Sequence, residues 1–176
     1  MSTDDHASRE LLTDSFQRIA DLVVGVTDNL AAATAAYRLD AEANTVAWLV
    51  WHLSRIQDDH VGDLAGSEQA WTSAGWHERL ELPFEVADTG YGHTPEQVAE
   101  VQVAAELVAG YHADVHRRTL AYVRSIDGSE LSRVVDDSWN PPVTAGARLV
   151  SVIGDALQHL GQAAYVRGVA ERSISS

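Results

Sequence analysis

Asp155 and His159 lie four residues apart in the run from Asp155 to Gln162, and His52 sits far upstream beside Trp51 and Leu53. Residues at i and i+4 share one face of a helix. A carboxylate and an imidazole on that face, joined by an imidazole from a second helix, would bring nitrogen and oxygen donors around one divalent metal. Three protein ligands leave a position open for water or substrate, the arrangement of catalytic rather than structural sites. The same spacing is also that of an ordinary Asp155–His159 hydrogen bond beside a boundary histidine. A second pair, His112 and His116, has i, i+4 spacing but lacks the glutamate of the HExxH pattern, and Arg117 and Arg118 follow directly. It reads as a surface or boundary pair. His60, His77 and His93 could line an entrance to the site, though nothing in their spacing demands it.

Four helical stretches must position these groups. Apolar residues at three- and four-residue steps predict helices over about 8–37, 41–64, 94–125 and 144–172. The third opens on Thr94, Pro95 and Gln97, an N-cap, a first-turn proline and a capping-box glutamine. Pro141 and Pro142 precede the fourth. Gly62, Gly110 and Gly154 fall inside helical runs, where glycine weakens continuity. Between the second and third helices, residues 65–93 form a long connection carrying Trp71, Trp76, Phe84 and Tyr91. Connections of that length are uncommon and often functional, and the aromatic content predicts a packed crossover or lid. The expected architecture is an all-α four-helix bundle with one long crossover between helices 2 and 3, occupying 1–176 as one domain. On helix 4, Leu149, Val152, Ile153, Ala156, Leu157 and Leu160 form an apolar stripe with Asp155 and His159 at its border. On helix 2, Leu49, Leu53 and Ile56 form the stripe with His52 at its edge.

The chain has 176 residues, 12 basic and 26 acidic, for a net charge of −14. That balance disfavours nucleic acid and anionic membranes as partners. There is no cysteine, so a metal must use histidine and carboxylates, and thiol chemistry must use a thiol from outside. The first residues are polar and acidic without a signal-peptide core, and no stretch reaches the ~18 apolar residues of a membrane span. A cytoplasmic protein is expected. Val23, Val24, Leu30 and Val169, taken as outer apolar residues, would permit a homodimer.

The segment from Asn44 to Leu53, with Trp48 and His52, together with Asp155, His159, Gly161, Gln162, Arg167 and Gly168, resembles the DinB-like superfamily. More narrowly it is similar to the actinobacterial mycothiol-dependent branch that includes maleylpyruvate isomerase. The resemblance covers most of the chain and implies a four-helix bundle. It also implies a metal triad on His52, Asp155 and His159. The commonest family residue at position 155 is histidine and the isomerase branch has glutamate, so Asp155 is a departure, one methylene shorter than glutamate. Asp59 is a candidate additional oxygen ligand.

Similar proteins use a zinc-like ion to bind a low-molecular-weight thiol such as mycothiol; nickel, iron and manganese also suit these donors. The implied function is thiol transfer to a small electrophile, or its thiol-assisted isomerisation. Arg55 and Arg167 are candidates for binding a carboxylate of thiol or substrate, and Gln162, Trp48 and Tyr91 are further candidates for the same pocket. Two other readings stand beside this one. A degenerate triad would make the protein a non-catalytic metal-binding or dimerisation module, and a metal-activated water would make it a hydrolase.

Overall fold

The computed structural model describes residues 3–174. Met1, Ser2, Ser175 and Ser176, which the expected domain 1–176 includes, lie outside the described residues. In chain order the elements are α1 (Thr3–Thr27), α2 (Ala32–Ala35), α3 (Val46–Ala65), α4 (Ala70–Ser73), α5 (Trp76–Leu80), α6 (Pro95–Glu100), α7 (Ala105–Ser125), α8 (Gly128–Ser132), β1 (Val134–Asp136), β2 (Val143–Thr144) and α9 (Ala145–Ile174). The four long helices make an all-α bundle. α1 and α3 each pack against both α7 and α9, so α1 and α3 occupy opposite corners and α3 and α9 are neighbours.

Local chemistry sets the ends of α3. The Thr45 hydroxyl accepts the Trp48 backbone N–H at 3.0 Å as an N-cap. Gly66 closes the other end with φ +62°, where a side chain would be strained. The backbone N–H of Ser67 then donates to Gly62 O at 3.0 Å, satisfying a terminal carbonyl.

Three helix boundaries differ from the periodicity. The stretch over 8–37 ends at Thr27, whose hydroxyl turns back to Val23 O at 2.7 Å, and Asn29 takes φ +51° in the turn that follows. The stretch over 94–125 opens on the expected capping box at Thr94 and Gln97 but stops at Glu100. β-Branched Val98, Val101 and Val103 are weak helix formers, and Val101 leaves helical geometry to bury its side chain. The stretch from 41 begins only at Val46, after the Thr45 cap. By contrast α9 runs unbroken through Gly154 and Gly161. A short antiparallel hairpin, β1 with β2, precedes it and was not foreseen.

α3 is the central helix. Every residue from Thr45 to Arg55 is buried, so it has no polar face along this length. The expected stripe of Leu49, Leu53 and Ile56 with His52 at its edge is therefore corrected: His52 is buried and Ile56 is the half-exposed one. The crossover accounts for this, because it folds over the side of α3 that the bundle leaves open. Trp71, Trp76, Leu80 and Leu82 of the crossover are all core residues. Two residues proposed for an outer dimer face are also core: Val23 and Leu30 are buried, while Val24 is exposed. Among the described residues no helix is long and apolar enough to cross a membrane.

Candidate metal centre

α3 and α9 pack side by side and bring His52 to Asp155 and His159. One donor atom from each residue lies within 4.8 Å of the other two, and among the described residues this is the group of three such side chains that could hold an ion. His52 is buried and Asp155 and His159 are half-buried, so the trio is closed on the α3 side and reachable from the α9 side. Donors about 2.1 Å from a tetrahedral ion stand about 3.4 Å apart, within small side-chain rotations of this arrangement.

The hydrogen bonds fix which nitrogens are free. His52 Nδ1 lies 2.6 Å from the Thr89 carbonyl oxygen. A carbonyl only accepts, so Nδ1 carries the proton and Nε2 keeps its lone pair. His159 Nδ1 lies 2.8 Å from the Asp155 carbonyl oxygen, and the same logic leaves its Nε2 free. Metal-ligating imidazoles are held by this kind of bond on the second nitrogen. Asp155 Oδ2 is buried without a hydrogen-bond partner, although it stands 3.3 Å from His159 Nδ1. Two imidazole nitrogens free of hydrogen bonds and one carboxylate, gathered within 4.8 Å, are donors that could hold a divalent cation.

Electrostatics separate the two histidines. Burial pushes the His52 pKa down, against the Thr89 bond, with His159 adding to the fall. Burial also opposes charge on His159, but the Asp155 side chain and carbonyl outweigh it and raise its pKa. The trio therefore pairs a ring held neutral with one that attracts a proton in the absence of a competing cation. Trp48 stacks on the His52 ring, centroids 4.6 Å apart and planes 12° apart.

A family model described as mycothiol-S-transferase matches residues 9–171. The chain belongs to the mycothiol S-transferase family. This is a DinB-like family, and the all-α bundle is the fold the resemblance implied. A conserved protein of known crystal structure from Enterococcus faecalis is 35% identical, with a TM-score of 0.83 over 90% of this chain and 94% of that one. No protein with a curated description matches the chain.

Within this mycothiol S-transferase bundle the other candidate residues have partners or surroundings of their own. Arg55 is fully buried. It donates to Asp88 O at 3.0 Å and to Gln69 Oε1 at 2.7 Å, so it faces the crossover rather than solvent. Arg167 donates to Gly25 O at 3.1 Å and Asp28 O at 3.0 Å, at the C-terminal end of α1, where a cation is favourable. Asp59 accepts from Gln69 Nε2 at 2.8 Å and lies outside the trio. Gln162 borders a cleft of about 280 Å³ with Leu39, Glu42, Asn44, Leu49 and Tyr165. Tyr91 is 88% exposed, on the crossover next to the Gly90 that packs on His52.

The remaining histidines do not join the trio. His93 accepts from Trp48 Nε1 at 3.1 Å, His77 edges onto Trp71, and His60 lies 3.8 Å from Asp59. The surface or boundary reading of His112 is corrected: it is buried between the bundle helices, 2% exposed. Thr89 was missed from the sequence because it acts through its carbonyl, which any residue type supplies. The paired glycines at 90 and 92, both at positive φ, were the one visible sign that the crossover turns sharply beside the site.

Proposed function

We propose that the protein is a metal-dependent thiol transferase. It would use a low-molecular-weight, mycothiol-like thiol and a small electrophilic substrate. The observation that carries this reading is the trio of His52, Asp155 and His159, two of its rings already in the tautomer that leaves Nε2 free. The family match favours transfer over thiol-assisted isomerisation.

His52 Nε2, His159 Nε2 and the Asp155 carboxylate would hold the ion. A divalent cation bound there supplies Lewis acidity that favours a thiol's thiolate form at neutral pH. Zinc suits these donors, and nickel is the next choice. The chain's own part is positioning and exclusion. The Trp48 face and the crossover shield His52 from water, and the open α9 side admits the reactants. With no cysteine of its own, the chain offers no competing thiolate. In the transfer, a sulfur–carbon bond forms as the electrophile's bond to its leaving group breaks. The thiol proton goes to solvent and the leaving group departs with the bonding pair.

The test is elemental analysis of tag-free protein beside His52→Ala and His159→Ala, followed by conjugation assays with mycothiol and a haloaromatic electrophile. About one zinc-group ion per chain, lost in both folded variants, together with thiol-dependent conjugation in the wild type, is the expected result. A wild type that cannot be loaded would leave a non-catalytic bundle. Ester turnover without thiol would make it a hydrolase.

A further inference from the structure

The His52 ring is held by a segment that never reaches the trio itself. Its Nδ1 bonds Thr89 O, and the next residue, Gly90, packs so closely that a Cβ there would stand 2.9 Å from His52 Nδ1 and 2.8 Å from the Trp51 ring. Gly90 also sits at φ +87°, so this approach needs glycine twice over. The segment is pinned from both sides. Arg55, one turn along α3 from His52, donates from Nε to Asp88 O at 3.0 Å. The Asp88 side chain accepts the Gly90 backbone N–H at 2.7 Å and faces His93 Nε2 at 3.0 Å.

His93 Nδ1 accepts the Trp48 indole N–H, so His93 carries its proton on Nε2 and donates it to Asp88. Trp48 in turn stacks on His52. The contacts form a closed circuit, from His52 through Thr89, Asp88, His93 and Trp48 back to His52, with Arg55 fixing Asp88 from below. Arg55 is itself immobilised by Gln69, Tyr111 and the face of Trp71.

We propose that Asp88 and Arg55 are positioning residues for His52, fixing its tautomer and ring rotation through the Thr89 carbonyl before any ion arrives. The idea rests on the metal-site reading above. It assigns control of metal affinity to residues that do not touch the metal. A bare imidazole must select one tautomer and one rotation when it binds, whereas His52 has both set in advance, which lowers the cost of ordering the ligand.

The experiment uses the full chain labelled with nitrogen-15 at histidine, in metal-free form, for wild type, Asp88→Ala, Asp88→Asn and Gly90→Ala. Ring-nitrogen shifts should report His52 as the Nδ1–H tautomer in wild type. Asp88→Ala should mix in the Nε2–H form, and Asp88→Asn, which keeps an acceptor for Gly90 N–H, should retain most of the original. Zinc titration against a chelating dye should show about 10- to 100-fold weaker binding in Asp88→Ala and a smaller loss in Asp88→Asn. Gly90→Ala displaces the ring directly and should weaken zinc binding equally, which guards against a misfolded Asp88 variant. A wild-type tautomer in folded Asp88→Ala and Gly90→Ala, with zinc affinity within about twofold of wild type, would overturn the proposal. A wild type that binds no zinc sinks the functional reading instead, while the tautomer of metal-free His52 still decides this one.

Discussion

Asp58 Oδ2 accepts the backbone N–H of Trp71 at 2.8 Å, tying the middle of α3 to the start of the crossover. The same carboxylate accepts Ala70 N–H at 2.9 Å through Oδ1 and the Tyr111 hydroxyl at 2.9 Å through Oδ2. It also stands 4.0 Å from the buried guanidinium of Arg55. One buried side chain therefore joins α3, α4 and α7. Asp58→Ala strands a buried cation and three donors, and should cost about 3–5 kcal/mol. Urea unfolding followed by circular dichroism measures this. A loss under about 1 kcal/mol would mean that water replaces the carboxylate.

Asp155 presents the opposite balance. Its buried Oδ2 has no hydrogen-bond partner, which is costly without a cation. At a pH where His159 is neutral, Asp155→Leu should stabilise the metal-stripped protein by about 1 kcal/mol, and it should abolish metal binding. Thermal melts of stripped wild type and variant, followed by metal titration, compare the two. A destabilised, metal-free variant would make Asp155 a structural partner of His159 alone.

Metal should act as a folding ligand. At a hundredfold excess over its dissociation constant, an ion that binds only the folded state adds about 2.7 kcal/mol. Zinc should therefore raise Tm in the wild type and a chelator should reverse the rise. His159→Ala should respond to neither. An equal shift in both proteins would place the binding elsewhere.

His112 should contribute to the loss of stability in acid. Burial, with His116 nearby, pushes its pKa down to about 3, against about 6.5 when unfolded. Between those values the unfolded chain binds the proton and the folded chain does not. Stability from this group is therefore complete above about pH 6.5 and falls by about 1.4 kcal/mol per unit below it. His52, His60 and His116, also lowered mainly by burial, add to the fall. His159, with a raised pKa, opposes it: its contribution is present below the unfolded value and lost as pH rises through the folded one. His112 Nε2 has no hydrogen-bond partner, so His112→Leu should flatten the slope by about one proton without loss at neutral pH. Urea midpoints across that range test it, and an unchanged slope would exclude His112 as the group responsible.

The bundle was legible because its signals are local. Thr94 and Gly66 mark helix ends by their own side-chain or backbone chemistry, and the i, i+4 spacing of Asp155 and His159 survives folding unchanged. What escaped depends on distant chain. α3 lost its expected polar edge because residues about 20–40 positions later cover it, an override that periodicity does not carry. Arg55 reads as a candidate carboxylate binder one turn from His52, and contacts with the distant crossover and with Tyr111 of α7 make it internal. The partner of His52 is a carbonyl, so side-chain identity at Thr89 holds no trace of it.

The trio joins α3 to the last long helix, with roughly a hundred residues of chain between the ligands. During synthesis His52 emerges well before Asp155 and His159, so no complete set of donors exists until α9 has docked. If the trio binds metal as proposed, capture of the ion would report completion of the whole bundle. An ion held there acts as a clasp across a long loop, and it should retard opening of the α3–α9 seam more than any other local motion.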